Sequence, residues 1–238
     1  MTTLAVIGDI HAQYHRLNSV LHRIDKEDVD GVLLVGDLGS ADLSFSSLRT
    51  PERDARYLDS IERVLQMVRS LGVPLLWVPG NHDLSDLEGE GNIDFGTAKI
   101  EELVVAGIGG AGPNRFGFCY EWGEDDIRAR PEPQADVLLC HCPPANTALD
   151  LAMGTHHAGS EAIMERARRH RGFLVCGHIH EAAGAVIIGD CLALNAGALG
   201  HPFGRNQVGF ICRKDGIDIA IHEDLEANTT SRWERRHA

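Results

Sequence analysis

Leu4-Ala5-Val6-Ile7-Gly8-Asp9-Ile10-His11 sets a run of four apolar residues before a glycine and two potential metal ligands placed two positions apart. The run reads as a buried strand that ends on a turn carrying Asp9 and His11. The same pattern recurs downstream. Val32 to Val35 precedes Gly36-Asp37, Leu75 to Val78 precedes Gly80-Asn81-His82-Asp83, Val137 to Cys140 precedes His141, and Phe173 to Cys176 precedes Gly177-His178-Ile179-His180. In α/β sheets, sites are built where strands end.

The spacing carries chemistry. A period of two sets Asp9 with His11, and His178 with His180, on one face of an extended segment. Imidazole, carboxylate and carboxamide ligands with no thiolate indicate manganese, iron or zinc rather than calcium or an iron–sulfur cluster. A lone histidine such as His141 is more often a core or surface residue than a ligand. Taken together, however, these polar groups at buried strand ends need partners.

Between the motifs lie helical patterns. Tyr14 to Asp25 spaces Leu17, Val20, Leu21 and Ile24 on one face, and Pro51 to Ser70 does the same with Leu58, Ile61, Leu65 and Val68. Pro51 suits a first helical turn, and Gly72 with Pro74 ends the helix. The first half is therefore β-α-β-α-β with a parallel sheet. Val104 to Ile108 reads as a further strand. Beyond Arg169 the chain is strand-rich: Ala185 to Ile188, Cys191 to Leu194, Val208 to Cys212 and Ile217 to Ile221 follow, with hairpin turns at Gly189-Asp190 and Asp215-Gly216.

The order GDxH, GD, GNHD, a lone His and GHxH, spanning Gly8 to His180, resembles the calcineurin-like metallophosphoesterases, on the side of the small bacterial-type phosphodiesterases. The resemblance implies an α/β fold, a four-layer α/β/β/α sandwich. It also implies that Asp9, His11 and His180 hold one metal, that Asn81, His141 and His178 hold another, and that Asp37 bridges them. His82 would stabilise or protonate the leaving oxygen. Two divalent or trivalent ions per chain are expected, manganese first, with iron and zinc as alternatives. Two such cations roughly 3.5–4 Å apart polarise a phosphoryl oxygen and supply a bridging hydroxide as nucleophile.

One departure narrows the substrate. The protein-phosphatase and dinucleoside-polyphosphatase branch reads GDxxDRG at the second motif, whereas this chain reads Gly36-Asp37-Leu38-Gly39-Ser40-Ala41-Asp42. Ser40 and Ala41 stand where that branch has an acid that steadies the catalytic His and a phosphate-binding Arg. A small phosphodiester is therefore the expected substrate. The alternatives are a phosphomonoester, a nucleotide pyrophosphate, or a metal-bearing scaffold without useful turnover. Asp42 and Asp83 are both candidates to pair with His82. Candidate substrate contacts are Arg115, in the loop from Gly109 to Gly117, and Gly159 with Ser160, where Ser160 reads as the N-cap of a helix bearing Ile163 and Ala167.

Composition sets outer bounds. With 238 residues, 43% of them hydrophobic, the chain can bury one core, read as a domain over 1–225 with a frayed tail over 226–238. The net charge of -13 speaks against general nucleic-acid binding, which needs a cationic surface, and leaves a small phosphate ester as the partner. The six cysteines show no CxxC, and Cys140 and Cys142, flanking His141, are read as packing residues. Without a signal-like segment before Gly8 or a long apolar run, a cytoplasmic protein with no membrane partner is expected.

Overall fold

In the computed structural model, residues 1–40, 47, 49–113 and 116–237 are described. Two sheets stack face to face. The first runs in the order β14 (Thr229–Arg236), β13 (Ile217–Asp224), β12 (Gln207–Lys214), β1 (Thr2–Ile7), β2 (Gly31–Leu34), β3 (Leu75–Trp77). The second runs β10 (Gly184–Ile188), β11 (Cys191–Asn195), β9 (Gly172–Cys176), β6 (Val137–Cys140), β5 (Leu103–Ile108), β4 (Thr97–Ile100). A short hairpin, β7 (Leu151–Ala152) with β8 (His156–His157), stands apart.

Side-chain alternation produces the layers. Leu4, Val6, Leu33 and Val35 join Val137, Leu139, Phe173 and Val175 in the core between the sheets. Their neighbours Ala5, Ile7, Val32 and Leu34 face the opposite way, against α1 (Tyr14–Ile24) and α2 (Pro51–Arg69). On the far side of the second sheet, Leu174 and Cys176 pack beneath α4 (Glu161–Arg169) and α3 (Glu124–Arg128). The result is the expected α/β/β/α sandwich. Strands β1, β2 and β3 pair in parallel, as do β5, β6 and β9, so in each sheet these strands end on the same edge.

Two expectations are corrected. Leu58 is 46% exposed, and the buried stripe of α2 begins instead at Tyr57, because the helix is rotated so that Tyr57 reaches the second-motif loop. The tail over 226–238 is not frayed through its length: Thr229–Arg236 is strand β14, paired antiparallel with β13 from Ile217↔Arg236 to Asp224↔Thr229. Its anchor is ionic. The buried Asp218 accepts from Arg213 Nε at 2.7 Å and Arg235 Nη2 at 2.9 Å, and His237 Nε2 lies 2.9 Å away.

Burial alone would raise the Asp218 pKa, but these partners outweigh it and hold the carboxyl below its usual range. The stabilisation is therefore complete above about pH 4, the ordinary carboxylate value, and is lost as pH falls through the lower folded value. Asp218→Ala strands a buried arginine, and is expected to cost about 3–5 kcal/mol in urea unfolding and to speed amide exchange in β14. Unchanged exchange in β14 would show that backbone pairing alone holds the strand.

Candidate metal centre

The five motifs leave β1, β2, β3, β6 and β9 at their C-terminal ends, where both sheets open onto one edge. Asp9, His11, Asp37, Asn81, His141 and His180 are all buried there. Ligand atoms of Asp9, His11, Asp37 and His180 lie within 4.8 Å of one another. His180 Nε2 is 3.3 Å from Asp9 Oδ1, and His11 Nε2 is 3.5 Å from Asp37 Oδ2. On the other side of Asp37, Asn81 Oδ1 sits 2.8 Å from both His141 Nε2 and His178 Nδ1. His141 Nε2 is also 3.7 Å from Asp37 Oδ2, so the Asp37 carboxylate stands between the two groups.

The donor set fits cations better than it fits itself. His141 Nδ1 lies 2.7 Å from the Val35 carbonyl, which can only accept, so Nδ1 carries the hydrogen and Nε2 presents a lone pair. That lone pair faces Asn81 Oδ1, another acceptor. Neither ring nitrogen of His11 has a hydrogen-bond partner among the described residues, although both are buried. His180 Nδ1 is 2.6 Å from the Pro202 carbonyl, which likewise leaves Nε2 to face the site. Convergent acceptors in a buried pocket are costly without a positive charge among them.

Electrostatics point the same way. Burial lowers the His11 pKa to about 4 and that of His178 to about 3, so both imidazoles are neutral at pH 7 with lone pairs to offer. Burial would lower His180 too, but the charge and hydrogen bond of Asp9 outweigh it and raise the pKa to about 9. A proton on His180 thus competes with any cation for the same lone pair.

The backbone is strained where the candidate ligands sit. Asp9, His11, Asp37 and His178 adopt φ of 44°, 45°, 51° and 68°, a region that costs non-glycine residues about 1–3 kcal/mol each. Surrounding bonds hold these turns: the Gly200 amide donates to the Asp9 carbonyl at 2.7 Å, His11 N–H to the Asp37 carbonyl at 2.8 Å, and His178 N–H to Asp9 Oδ2 at 3.0 Å. Close approach is needed as well, since a Cβ on Gly80 would collide with Asp37 Oδ1 and the Asp37 amide. Gly80→Ala is therefore expected to cost about 1–3 kcal/mol in stability and to lower bound manganese below wild type. Wild-type metal content in that variant would show that the third motif can shift without harm to the site.

His82 lies at the open side. Its backbone N–H donates to Asp37 Oδ1 at 2.9 Å, its Nε2 is 3.9 Å from Asp37 Oδ2, and its ring is 4.5 Å from that of Phe118. Asp83 does not pair with it. That buried carboxylate accepts from the Leu38 amide at 3.1 Å, the Gly80 amide at 2.8 Å and the Tyr57 hydroxyl, and so ties the second motif to the third. Asp42 and Ala41 lie outside the described residues. Ser40 gives its amide to Ser60 Oγ at 2.9 Å and supplies no charge.

The expected substrate contacts fare differently. Arg115 lies outside the described residues. Gly159 lines a cavity of about 670 Å³ that reaches His178. Its amide, however, donates to Asp150 Oδ2 at 3.1 Å. Ser160 caps α4 as expected, accepting from the Ile163 amide at 3.2 Å, but its hydroxyl donates to Glu124 Oε2 at 2.7 Å. Glu124 also takes the Ala162 amide at 2.8 Å. The helix terminus thus already has its anion, and the expected phosphate contact at Gly159 and Ser160 is corrected. Cys140 and Cys142 are buried and free, and burial pushes the Cys142 thiol up to about 12.

Sequence reading missed Tyr57 and Phe118, which touch the site from α2 and from the loop after β5. It also missed Asn195, whose Nδ2 donates to the Leu149 and Ile179 carbonyls at 3.1 and 3.0 Å and so fixes the last motif. A buried asparagine closing β11 was the available signal.

Two packed sheets with carboxylates, imidazoles and one carboxamide gathered at a shared edge define a metallophosphoesterase architecture. The chain belongs to the calcineurin-like phosphoesterase family, whose model matches residues 2–182. The family uses divalent metals, and Asp9, His11, Asp37 and His180 form a candidate group for one. An uncharacterized protein of Methanocaldococcus jannaschii is 30% identical over 153 residues, 58% of this chain and 69% of that protein. A symmetrical bis(5'-nucleosyl)-tetraphosphatase of Erwinia tasmaniensis is 40% identical over 80 residues, 33% of this chain and 23% of that enzyme. The crystal structure of TT1561 of Thermus thermophilus shares the fold, at 14% identity over 98% of both chains with a TM-score of 0.58. Among the described residues, no helix is long and apolar enough to cross a membrane.

Proposed function

We propose that the chain is a dinuclear metal-dependent phosphoesterase acting on a small phosphodiester. The observation that carries this reading is the Asn81 carboxamide oxygen facing the lone pair of His141 across 2.8 Å, with the buried Asp37 carboxylate between that pair and the cluster of Asp9, His11 and His180. Asp9, His11 and His180 would hold one ion, Asn81, His141 and His178 the other, and Asp37 both. Manganese is the first expectation for this mixed nitrogen and oxygen set, with iron or zinc as alternatives. When bound, the ions polarise a phosphoryl oxygen and lower the pKa of a shared water.

The chain's own residues do the rest. Asp37 fixes the separation of the two groups and, through the His82 amide, the position of the third motif. The His82 ring, which lies against Phe118, is placed to give a proton to the leaving oxygen. Nothing cationic follows Asp37 at Ser40 or Ala41, so the extra charge of a monoester dianion lacks the partner that a diester monoanion does not need. Hydrolysis of a nucleotide pyrophosphate is a second reading, favoured by the local likeness to the tetraphosphatase.

With manganese added, kcat/KM for an aryl phosphodiester is expected to exceed that for the matching monoester, and phosphopeptides should be poorer still. If the phosphopeptide is the best of the three, the diester reading is wrong.

A further inference from the structure

Beside His82 the cavity wall carries an aromatic ladder. The Phe118 ring lies 4.5 Å from His82, and the Phe116 ring 5.8 Å from Phe118. Phe116 is 68% exposed, and both rings line the cavity of about 670 Å³ that also reaches His178. The ladder is held in place: Glu121 accepts the amides of Phe116, Gly117 and Phe118 at 3.2, 2.7 and 3.2 Å. Rings whose backbone amides are already bonded lose less freedom on binding a flat partner.

The same wall is negative. Glu121, Glu124 and Glu161 line the cavity, beside His156, His157 and His178. These carboxylates disfavour a leaving group that carries its own anion, whereas a neutral ring would be stacked on Phe116 and Phe118.

We propose that this cavity is a leaving-group subsite for a neutral planar aromatic group, the base of a nucleoside whose 5′-oxygen leaves phosphorus beside His82. The inference rests on the phosphoesterase reading above and gives its substrate class: a nucleoside phosphodiester rather than a polyphosphate. In the step, a water oxygen bonds to phosphorus and the bond from phosphorus to the 5′-oxygen breaks. The electron pair stays on that oxygen, which takes the proton held by His82. One water's proton is released, and the free nucleoside departs from the Phe116 side.

Adenosine 5′-methyl phosphate and ribose 5-methyl phosphate carry the same leaving oxygen with and without a base. With manganese, the full chain is expected to cleave the adenosine diester with kcat/KM roughly tenfold above the abasic one, within the range that base–aromatic stacking supplies. Its products should be adenosine and methyl phosphate. Phe116→Ala should bring the ratio near unity, and Phe116→Trp should keep it. Equal rates in the wild type, a ratio that survives Phe116→Ala, or AMP and methanol as products each overturn the subsite.

If neither diester is cleaved while an aryl phosphodiester is, the subsite is overturned; if the aryl diester is not cleaved either, the phosphoesterase reading fails. The subsite then stands or falls on saturation-transfer NMR with adenosine. Saturation of the base protons that disappears in Phe116→Ala supports it, and no saturation in the wild type refutes it.

Discussion

Asp37→Asn is expected to release bound metal from both groups and to lower kcat/KM for a phosphodiester by at least about 10³-fold. The loss reflects several kcal/mol of charge stabilisation, at about 1.4 kcal/mol for each factor of ten. The substitution is nearly isosteric. Its Oδ1 can still accept the His82 amide that Asp37 accepts at 2.9 Å, so the third motif should stay in place. What disappears is one negative charge and one lone-pair-bearing oxygen, the atom now 3.5 Å from His11 Nε2 and 3.7 Å from His141 Nε2. Elemental analysis beside a steady-state assay checks this. Two ions per chain with unchanged turnover would remove Asp37 from the centre.

His82→Ala should leave metal content close to wild type and lower kcat by about 10²–10⁴, the usual range for a positioned general acid. The ring lies at the rim, with its side chain 25% exposed and its Nε2 3.9 Å from Asp37 Oδ2. The loss should be greater for an alkyl diester, whose leaving oxygen needs a proton, than for an aryl diester with a good leaving group. Equal losses refute the acid role. Depletion of metal would instead make His82 a ligand.

Strand ends were the most legible part of the sequence. Each motif follows an apolar run whose length and glycine exit mark it locally, and β1, β2, β3, β6 and β9 all deliver their side chains to one edge. The Asp215-Gly216 turn was equally local, with φ of 51° and 74° at its two residues. Relations across long sequence separations were not legible. Glu124 caps the helix begun by Ser160 from 36 residues away, which removes the anion site that the serine alone suggested. Asp83 serves the backbone of Leu38 from 45 residues away instead of its neighbour His82. Strand β14 reads as a charged tail because the residues that neutralise it, Asp218 among them, lie on other strands. Phe118 carries no motif at all, and only the folded loop sets it against His82.

Anomalous diffraction from crystals soaked in manganese would show whether two cations flank the Asp37 carboxylate. Two peaks per chain are expected, one among Asp9, His11 and His180 and the other among Asn81, His141 and His178, each in contact with Asp37. A single peak, or peaks away from Asp37 while the soaked protein still cleaves a phosphodiester, would contradict that arrangement.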